Sequence, residues 1–205
     1  MFKKQVSLIV LAAVVGTAAI GCSEDSNVTA PGSSAGDGVL STAKQIDDSG
    51  NTIADIAVGF ATAPDPEFTI LVAALQAADL VDAVSYKGQL TVFAPTDAAF
   101  GRLFANPDFP YTPEELLDPA NKELLTTVLL YHIAPGQRLS GDVLDSRQLK
   151  MKAGGSTFPT LDGENAYLRD GSDITPDARL LAQEGLIDVI ASNGVIHVID
   201  EVLLP

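Results

Sequence analysis

His132 and His197 are the only histidines in the chain, so chemistry that needs an imidazole must fall on one of them. His197 lies in the last apolar run, and Asp188 lies in the run before it, within side-chain reach across a hairpin. A Ser-His-Asp site also needs a serine beside the imidazole, and Ser192 lies at the turn, about five residues away along the strand. The sequence therefore predicts no catalytic residues.

Two acid-rich segments, Asp162–Asn165 and Asp170–Asp173, could suggest a calcium site. Ala166 and Pro176 stand where EF-hand ligands would fall, so we interpret both segments as solvated turns. The chain has one Cys, which excludes an internal disulfide and a zinc site with several thiolates. We predict no metal site and no cofactor.

The charge balance also limits the partners. Twelve Lys and Arg stand against 27 Asp and Glu, giving a net charge of −15 among 205 residues, 46% of which are hydrophobic. Nucleic-acid binding depends on clustered cations that displace counterions from phosphates, so we expect no nucleic-acid partner. The hydrophobic fraction is high enough for one folded domain with a core.

Cys22 follows a segment typical of an export signal. Lys3 and Lys4 precede an uncharged apolar run over residues 6–20, which is too short to span a bilayer comfortably. Ala19-Ile20-Gly21-Cys22 resembles the lipobox of bacterial lipoproteins, in which the Cys is acylated and becomes the N-terminus. An ordinary signal peptide with an incidental Cys is the alternative. We expect residues 1–21 to be a lipoprotein signal peptide and Cys22 to be the site of lipid attachment.

Removal of the signal peptide would leave ten basic and 27 acidic residues, a net charge of −17. Anionic headgroups would repel such a chain, so we expect membrane attachment through acyl chains on Cys22. Residues 22–50 are rich in Ser, Gly and Asp and have no apolar period, which predicts a flexible tether. Residues 51–205 have the pattern of a globular domain.

Within that domain, helices alternate with strands. Helical spacing begins at Thr52 and again at Phe68, and residues 89–94 predict a strand that Pro95 ends. Thr96 or Asp97 is expected to cap the next helix. Helices mixed with mostly antiparallel strands indicate an α+β fold.

The predicted helix over 121–132 ends at His132 and carries one apolar stripe. The other members of that stripe are Leu124, Leu125, Val128 and Leu129. We therefore interpret His132 as a structural residue with a backbone partner, and Tyr131 as a core aromatic. The alternative is an exposed contact point formed by the pair.

Asn193-Gly194 predicts a two-residue type I′ turn in a C-terminal hairpin. That turn would pair Ser192 with Val195 and Ala191 with Ile196. It would also place Gly194 at a positive φ, where a β-branched residue is strained. Ile187, Val189, Ala191, Ile196 and Val198 would then share a core face.

Three segments resemble the signatures of fasciclin domains. They are residues 91–100 (TVFAPTDAAF), Leu129–His132 followed by Gly136, and residues 192–200 (SNGVIHVID) followed by Leu203-Leu204-Pro205. They occur in the family's order over residues 51–205, with departures between Met151 and Gly185. The resemblance implies a single domain in which helices pack around a wedge of mostly antiparallel strands.

The resemblance also implies an adhesion or interaction module without enzymatic activity. Tyr131 and His132 match the positions linked in animal members to adhesion, so they are the candidate partner-binding residues. We expect an exported protein, lipid-anchored to the bacterial cell envelope at the outer membrane or cell surface, with an unidentified protein or matrix partner. The alternative is an envelope module that binds a small apolar ligand or a wall or matrix polysaccharide.

Overall fold

A computed structural model describes residues 50–86, 88–182 and 186–205. The predicted signal peptide, Cys22 and nearly all of the predicted tether lie outside these residues. Of the α-helices among the described residues, none is long and apolar enough to cross a membrane.

Short helices form most of the first half of the domain. They are α1 (Ile53–Ala61), α2 (Thr69–Ala77), α3 (Val81–Ser85), α4 (Asp97–Ala105), α5 (Pro113–Leu116) and α6 (Lys122–Tyr131), with a 3₁₀ turn at Pro119–Asn121. In the second half, the α-helix among the described residues is α7 (Ser140–Asp145).

Side-chain caps explain where several of these helices begin. Thr52 and Asp55 form a capping box at α1, in which each side chain accepts a hydrogen bond from the other residue's backbone N–H. Thr96 caps α4, as predicted. Asp97 instead caps a different helix, because its carboxylate accepts the N–H groups of Thr69 and Ile70 at 3.0 Å each, at the start of α2.

The strands form two sheets. The central sheet contains β1 (Leu90–Pro95), β2 (Ile133–Pro135), β7 (Val189–Ala191) and β8 (Gly194–Ile199), in the order β2-β1-β8-β7. The outer sheet contains β3 (Leu149–Lys150), β4 (Ser156–Asp162), β5 (Asn165–Arg169) and β6 (Ala178–Arg179), in that order. Strands β1 and β8 are parallel and all the other neighbours are antiparallel, so the predicted α+β class is confirmed.

The central sheet is buried on both faces because its side chains alternate between two cores. Leu90, Val92, Ile196 and Val198 join the helix-side core, formed with residues of α1, α2, α4 and α6. Phe93 and Ile199 face the other way and join the inter-sheet core, where Leu149 and Leu168 come from the outer sheet. The domain therefore has three layers, with the central sheet in the middle.

The predicted register of the C-terminal hairpin is wrong. Ala191 pairs with Gly194 and Ile190 with Val195, so the turn residues are Ser192 and Asn193. Relative to the prediction, the partner of Ala191 moves by two residues, which leaves Val189, Ala191, Ile196 and Val198 on their predicted face, in the helix-side core. The prediction is wrong for Ile187, which packs against the inter-sheet core because the strand begins only at Val189, after Asp188 at a φ of +56°. The cause is Asn193, whose buried side chain is held by the first half of the chain and cannot serve as an exposed turn residue.

Gly194 has a positive φ, as predicted, and the structure adds a second reason that requires glycine there. A Cβ atom built on it would lie 2.0 Å from the carbonyl oxygen of Leu90, and its φ is +155°. Backbone of β1 thus occupies the space that any side chain at this position would need. The requirement comes from the positive φ and from the close approach of two parallel strands.

Candidate functional site

His132 joins the end of α6 to the C-terminal segment. The residue is 3% exposed, its Nδ1 lies 2.8 Å from the Val128 carbonyl oxygen, and its Nε2 accepts the Leu203 N–H at 2.9 Å. An imidazole that donates through Nδ1 and accepts through Nε2 is neutral. Burial lowers the pKa of His132 to about 4, although the Val128 carbonyl opposes this shift. The geometry agrees with the structural interpretation of this residue.

Tyr131 points toward the outer sheet. Its ring is buried, and its hydroxyl lies 3.0 Å from the Ser156 carbonyl oxygen and 3.3 Å from that of Asp170. Burial raises the pKa of Tyr131, and the nearby Asp170 adds to this effect. Gly155 leaves room for the ring, because a Cβ atom there would lie 2.9 Å from the Tyr131 Cε2 atom. Tyr131, the last residue of α6, and His132, its C-cap, thus hold two different parts of the fold, the outer sheet and the C-terminal segment.

Asp170 also holds the C-terminal segment, a role that the sequence analysis did not predict. Its Oδ2 accepts the Leu204 N–H and its Oδ1 accepts the Ser172 N–H, both at 2.8 Å. Burial raises the pKa of this carboxyl, and those hydrogen bonds offset part of the rise. The prediction that residues 170–173 form a merely solvated turn is therefore wrong at Asp170, which holds the end of the chain.

His197 makes the same kind of bridge as His132 on the opposite face of the central sheet. The ring is fully buried, its Nε2 lies 2.8 Å from the Arg138 carbonyl oxygen, and its Nδ1 accepts the Asp188 N–H at 3.2 Å. Burial lowers the pKa of His197, and both the Arg138 carbonyl and the Asp188 carboxylate oppose this shift. The expected closeness of His197 and Asp188 is confirmed, with 3.8 Å between the His197 Nδ1 and the Asp188 Oδ1.

The serine near this pair is Ser140, which the sequence analysis did not consider. Its Oγ donates to the Asp188 Oδ2 at 2.6 Å and its N–H donates to Oδ1 at 2.7 Å. The hydroxyl proton is therefore directed at the carboxylate, and both ring nitrogens of His197 are already bonded to backbone. A nucleophilic serine needs its hydroxyl hydrogen-bonded to the imidazole that acts as base. Here the hydroxyl is bonded to the carboxylate instead, so these residues form a structural hydrogen-bonded cluster, which we call a tie.

Asn193 ties the hairpin to the start of the domain. Its Oδ1 accepts the Ile53 N–H at 2.9 Å, and its Nδ2 donates to the carbonyl oxygens of Val84 and Tyr86 at 2.7 and 3.1 Å. The sequence marks this position through the Asn-Gly pair, but that pair predicts a local turn and gives no indication of these long-range contacts.

An apolar cavity lies between α1, α2 and the central sheet, with His132 in its wall. Its volume is about 30 Å³, and its lining includes Phe60, Phe68, Leu71 and Val92. That volume is comparable with the volume that one molecule occupies in liquid water, whereas sites for small ligands occupy roughly 300–1,000 Å³.

Within residues 50–205, apart from the four that are not described, there is no group of three His, Cys, Asp or Glu side chains placed to hold a metal ion.

Both predicted partner-binding residues, Tyr131 and His132, are thus buried and bonded to backbone. Their role in partner binding stays a prediction. If they affect a partner, they would do so through the segments they fasten, namely the C-terminal residues and the outer sheet.

These layers define an α+β domain with two sheets, and comparison with known proteins identifies its family. The Fasciclin domain family matches residues 66–205, and the chain belongs to this family. Protein sll1483 of Synechocystis is 40% identical over 158 residues, covering 77% of this chain and 76% of that protein. Immunogenic protein MPB70 of Mycobacterium bovis is 35% identical over 153 residues, covering 72% and 68%.

A solved structure supports the fold. The FAS1 domain pair of the insect cell adhesion molecule Fasciclin I matches with a TM-score of 0.61 and 18% identity, over 76% of this chain and 51% of that one. The chain thus spans about half of that two-domain structure. The single fasciclin-like domain expected from the sequence motifs is confirmed.

Proposed function

We propose that the protein is an envelope-anchored adhesion or interaction lipoprotein that displays one fasciclin domain and has no enzymatic activity. The observation that carries this proposal is the family membership over residues 66–205. The solved structure of similar fold is a FAS1 domain pair from an insect cell adhesion molecule. Export and lipid attachment at Cys22 rest on the signal segment and the lipobox resemblance.

The chemistry of the domain supports a non-enzymatic role. Both histidines use their two ring nitrogens for backbone hydrogen bonds, and both are buried. Such imidazoles hold the fold together and have no nitrogen left to exchange protons with a substrate. This arrangement supports a role in binding through surfaces and loops.

The alternative of a small apolar ligand is less well supported. It would need a cavity at least about ten times larger than the roughly 30 Å³ present beside α1 and α2. The polysaccharide alternative requires only an exposed face, so the cavity does not bear on it.

The test compares cells that produce the wild-type chain with cells that produce Cys22→Ser. We expect the wild type in the envelope fraction, with an intact mass that includes acyl chains, and the variant released in soluble form. Cells that produce Cys22→Ser should attach to one another or to a surface no more than cells that lack the gene. Equal soluble release of both proteins, or a wild-type mass without acyl chains, would contradict the anchor. Unchanged attachment would contradict the adhesive role.

A further inference from the structure

Residues 201–205, which we call the strap, follow β8 and close both cores. Strand β8 ends at Ile199, before the strap begins. Val202 and Leu204 are buried in the helix-side core, whereas Leu203 is buried in the inter-sheet core. The strap is therefore held by contacts other than the ladder of β8, and its position decides whether the two cores are covered beyond that strand.

Two ionisable side chains accept backbone N–H groups of the strap. The His132 Nε2 accepts the Leu203 N–H, and the Asp170 Oδ2 accepts the Leu204 N–H. These two acceptors respond differently to a proton. A protonated carboxyl group keeps oxygen lone pairs that can accept, whereas both nitrogens of a protonated imidazole are donors. Protonation of His132 would thus set one N–H against another at Leu203.

The surroundings of the His132 ring offer nothing that would compensate a positive charge near the strap. The ring borders the helix-side cavity, and the other residues that line this cavity are apolar. Burial is the main cause of the lowered pKa of His132, and no charged group of the described residues contributes to that shift. A buried charge without a partner is costly, so the protonated ring is stable only where it reaches water.

The other ionisable groups around the strap are Arg102, Tyr131, Asp170, Arg179, Asp200 and Glu201. Glu201 is paired with Arg102, and Asp200 with Arg179. Burial raises the pKa of Asp170, so the closed protein binds that proton more tightly and acid favours the closed strap at this group. His132 is the group whose protonation opposes closure.

We propose that the strap is an acid-released device, fastened by the neutral His132 ring and detached when that ring takes up a proton. Release breaks no pairing of β8, because that strand ends before the strap. It brings the imidazole to water and exposes the three apolar side chains of the strap. The inference goes beyond the proposed function, since it concerns a conformational change of the domain and does not depend on the partner.

The test measures amide hydrogen exchange of the purified full chain in neutral detergent at pH 6.5 and 4.5, as protection factors that correct for the pH dependence of free amides. The peptide with Leu203 and Leu204 reports on the strap, and a peptide of α2 reports on unfolding of the domain. The strap should be less protected than α2 at both pH values, because it opens before the domain unfolds. Its protection should fall roughly thirtyfold from pH 6.5 to 4.5, as expected for an imidazole with a pKa of about 4 when closed and about 6.5 when open.

Three variants assign this fall to one residue. His132→Gln has no titratable ring, so protection of its strap should not change between the two pH values. His197→Gln is the matched control, because it removes the other buried imidazole, which bridges Arg138 and Asp188, and the fall should remain. Asp170→Asn removes the group that opposes release in acid, so the fall should remain or become steeper.

A further variant keeps His132 in place and decides the question where His132→Gln does not fold. Leu204→Ala weakens the packing of the strap in the helix-side core. If closure of the strap holds the ring neutral, a weaker strap must raise the pH at which His132 titrates, while His197 is unaffected. Proton NMR of the two imidazoles, which are the only ones in the chain, measures both midpoints.

Three results would overturn the proposal. They are a strap as strongly protected as α2 at both pH values, the same fall in His132→Gln as in the wild type, and a His132 midpoint that Leu204→Ala leaves unchanged. None of these measurements involves Cys22 or cell attachment, so a failure here is distinguishable from a failure of the proposed function.

Discussion

The helix-side core and the inter-sheet core of this domain are built on different physical principles. The helix-side core consists of aliphatic and phenylalanine side chains from many helices, packed on one face of the central sheet. The inter-sheet core combines fewer apolar residues with directed ties, such as the Tyr131 hydroxyl on Ser156 and the His197 ring between Arg138 and Asp188. The helix-side core also contains such a tie, because Asn193 bonds the backbone of Ile53 and Val84, but it depends mainly on apolar area, which tolerates small shifts. The inter-sheet core depends more on hydrogen bonds, which do not tolerate them.

This difference suggests that the two layers respond differently to substitution and to pH. Loss of one of these hydrogen-bonded ties should loosen the outer sheet or the C-terminal segment locally. A side chain too large for the central sheet should instead disturb packing in both cores at once. The predictions below separate these effects.

The largest expected effect is at Gly194, where both cores meet. Gly194→Ala places a Cβ atom 2.0 Å from the Leu90 carbonyl oxygen, so β1 and β8 must separate. We expect the free energy of unfolding to fall by at least about 3 kcal/mol. Gly141→Ala is the control, because nothing lies within 4 Å of a Cβ atom there. Denaturant midpoints compare the two, and equal midpoints would mean that the parallel pair is less closely packed than described.

The next effect is a loss of stability in acid. The pKa of His132 is lowered to about 4 in the folded protein. Between about pH 6.5 and 4, this imidazole is therefore protonated in the unfolded chain and neutral in the folded one. Stability should therefore be complete above about pH 6.5 and decline as the pH falls, by about 3 kcal/mol for this residue. His197 has a lowered pKa and acts in the same direction, whereas the raised pKa of Asp170 acts in the opposite one.

Urea unfolding at several pH values measures this slope. His132→Gln should flatten it between pH 6.5 and 4, whereas His197→Gln should leave the contribution of His132 in place. A wild type equally stable at pH 6.5 and 4.5 would contradict the buried, neutral state of these rings.

Replacement of His132 by Ala at neutral pH should also destabilise the chain. The substitution removes the partners of the Val128 carbonyl and the Leu203 N–H, both buried, and leaves a cavity. A loss of about 2–3 kcal/mol is expected from these causes. Glu123→Ala, at an exposed position of the same helix, is the control. A His132→Ala protein as stable as the wild type that no longer supports attachment would favour the contact-point alternative.

The helix-side core could be predicted from sequence far better than the ties could. Helical spacing located α6, and alternation assigned the residues of the two hairpin strands to the correct faces even though the register was wrong and Ile187, before the first strand, faces the other core. Periodicity reports which side of an element is apolar, and this is what the helix-side core depends on.

The ties depend on pairs of residues far apart in the chain, such as Ser140 with Asp188 and Asp170 with Leu204. No local pattern distinguishes a solvated aspartate from one that holds a distant backbone N–H. Asp97 illustrates this, since its sequence context predicted a cap on its own helix, whereas it caps α2.

The smallest expected effect is also the most selective test of the comparison. Tyr131→Phe keeps the ring in the inter-sheet core and removes only the hydroxyl, so packing is preserved while the tie to the Ser156 and Asp170 carbonyls is lost. A net loss of about 1 kcal/mol in the free energy of unfolding follows from one hydrogen bond. Because the tie is local, amide hydrogen exchange should accelerate in β4 and in the segment around Asp170, while amides of α2 and α4 exchange as in the wild type. Val58→Ala, at an exposed position of α1, provides a control that touches neither core. If exchange instead rose evenly across both layers, the two cores would form one cooperative unit, and the distinction between an apolar layer and a tied layer would not describe how this domain opens.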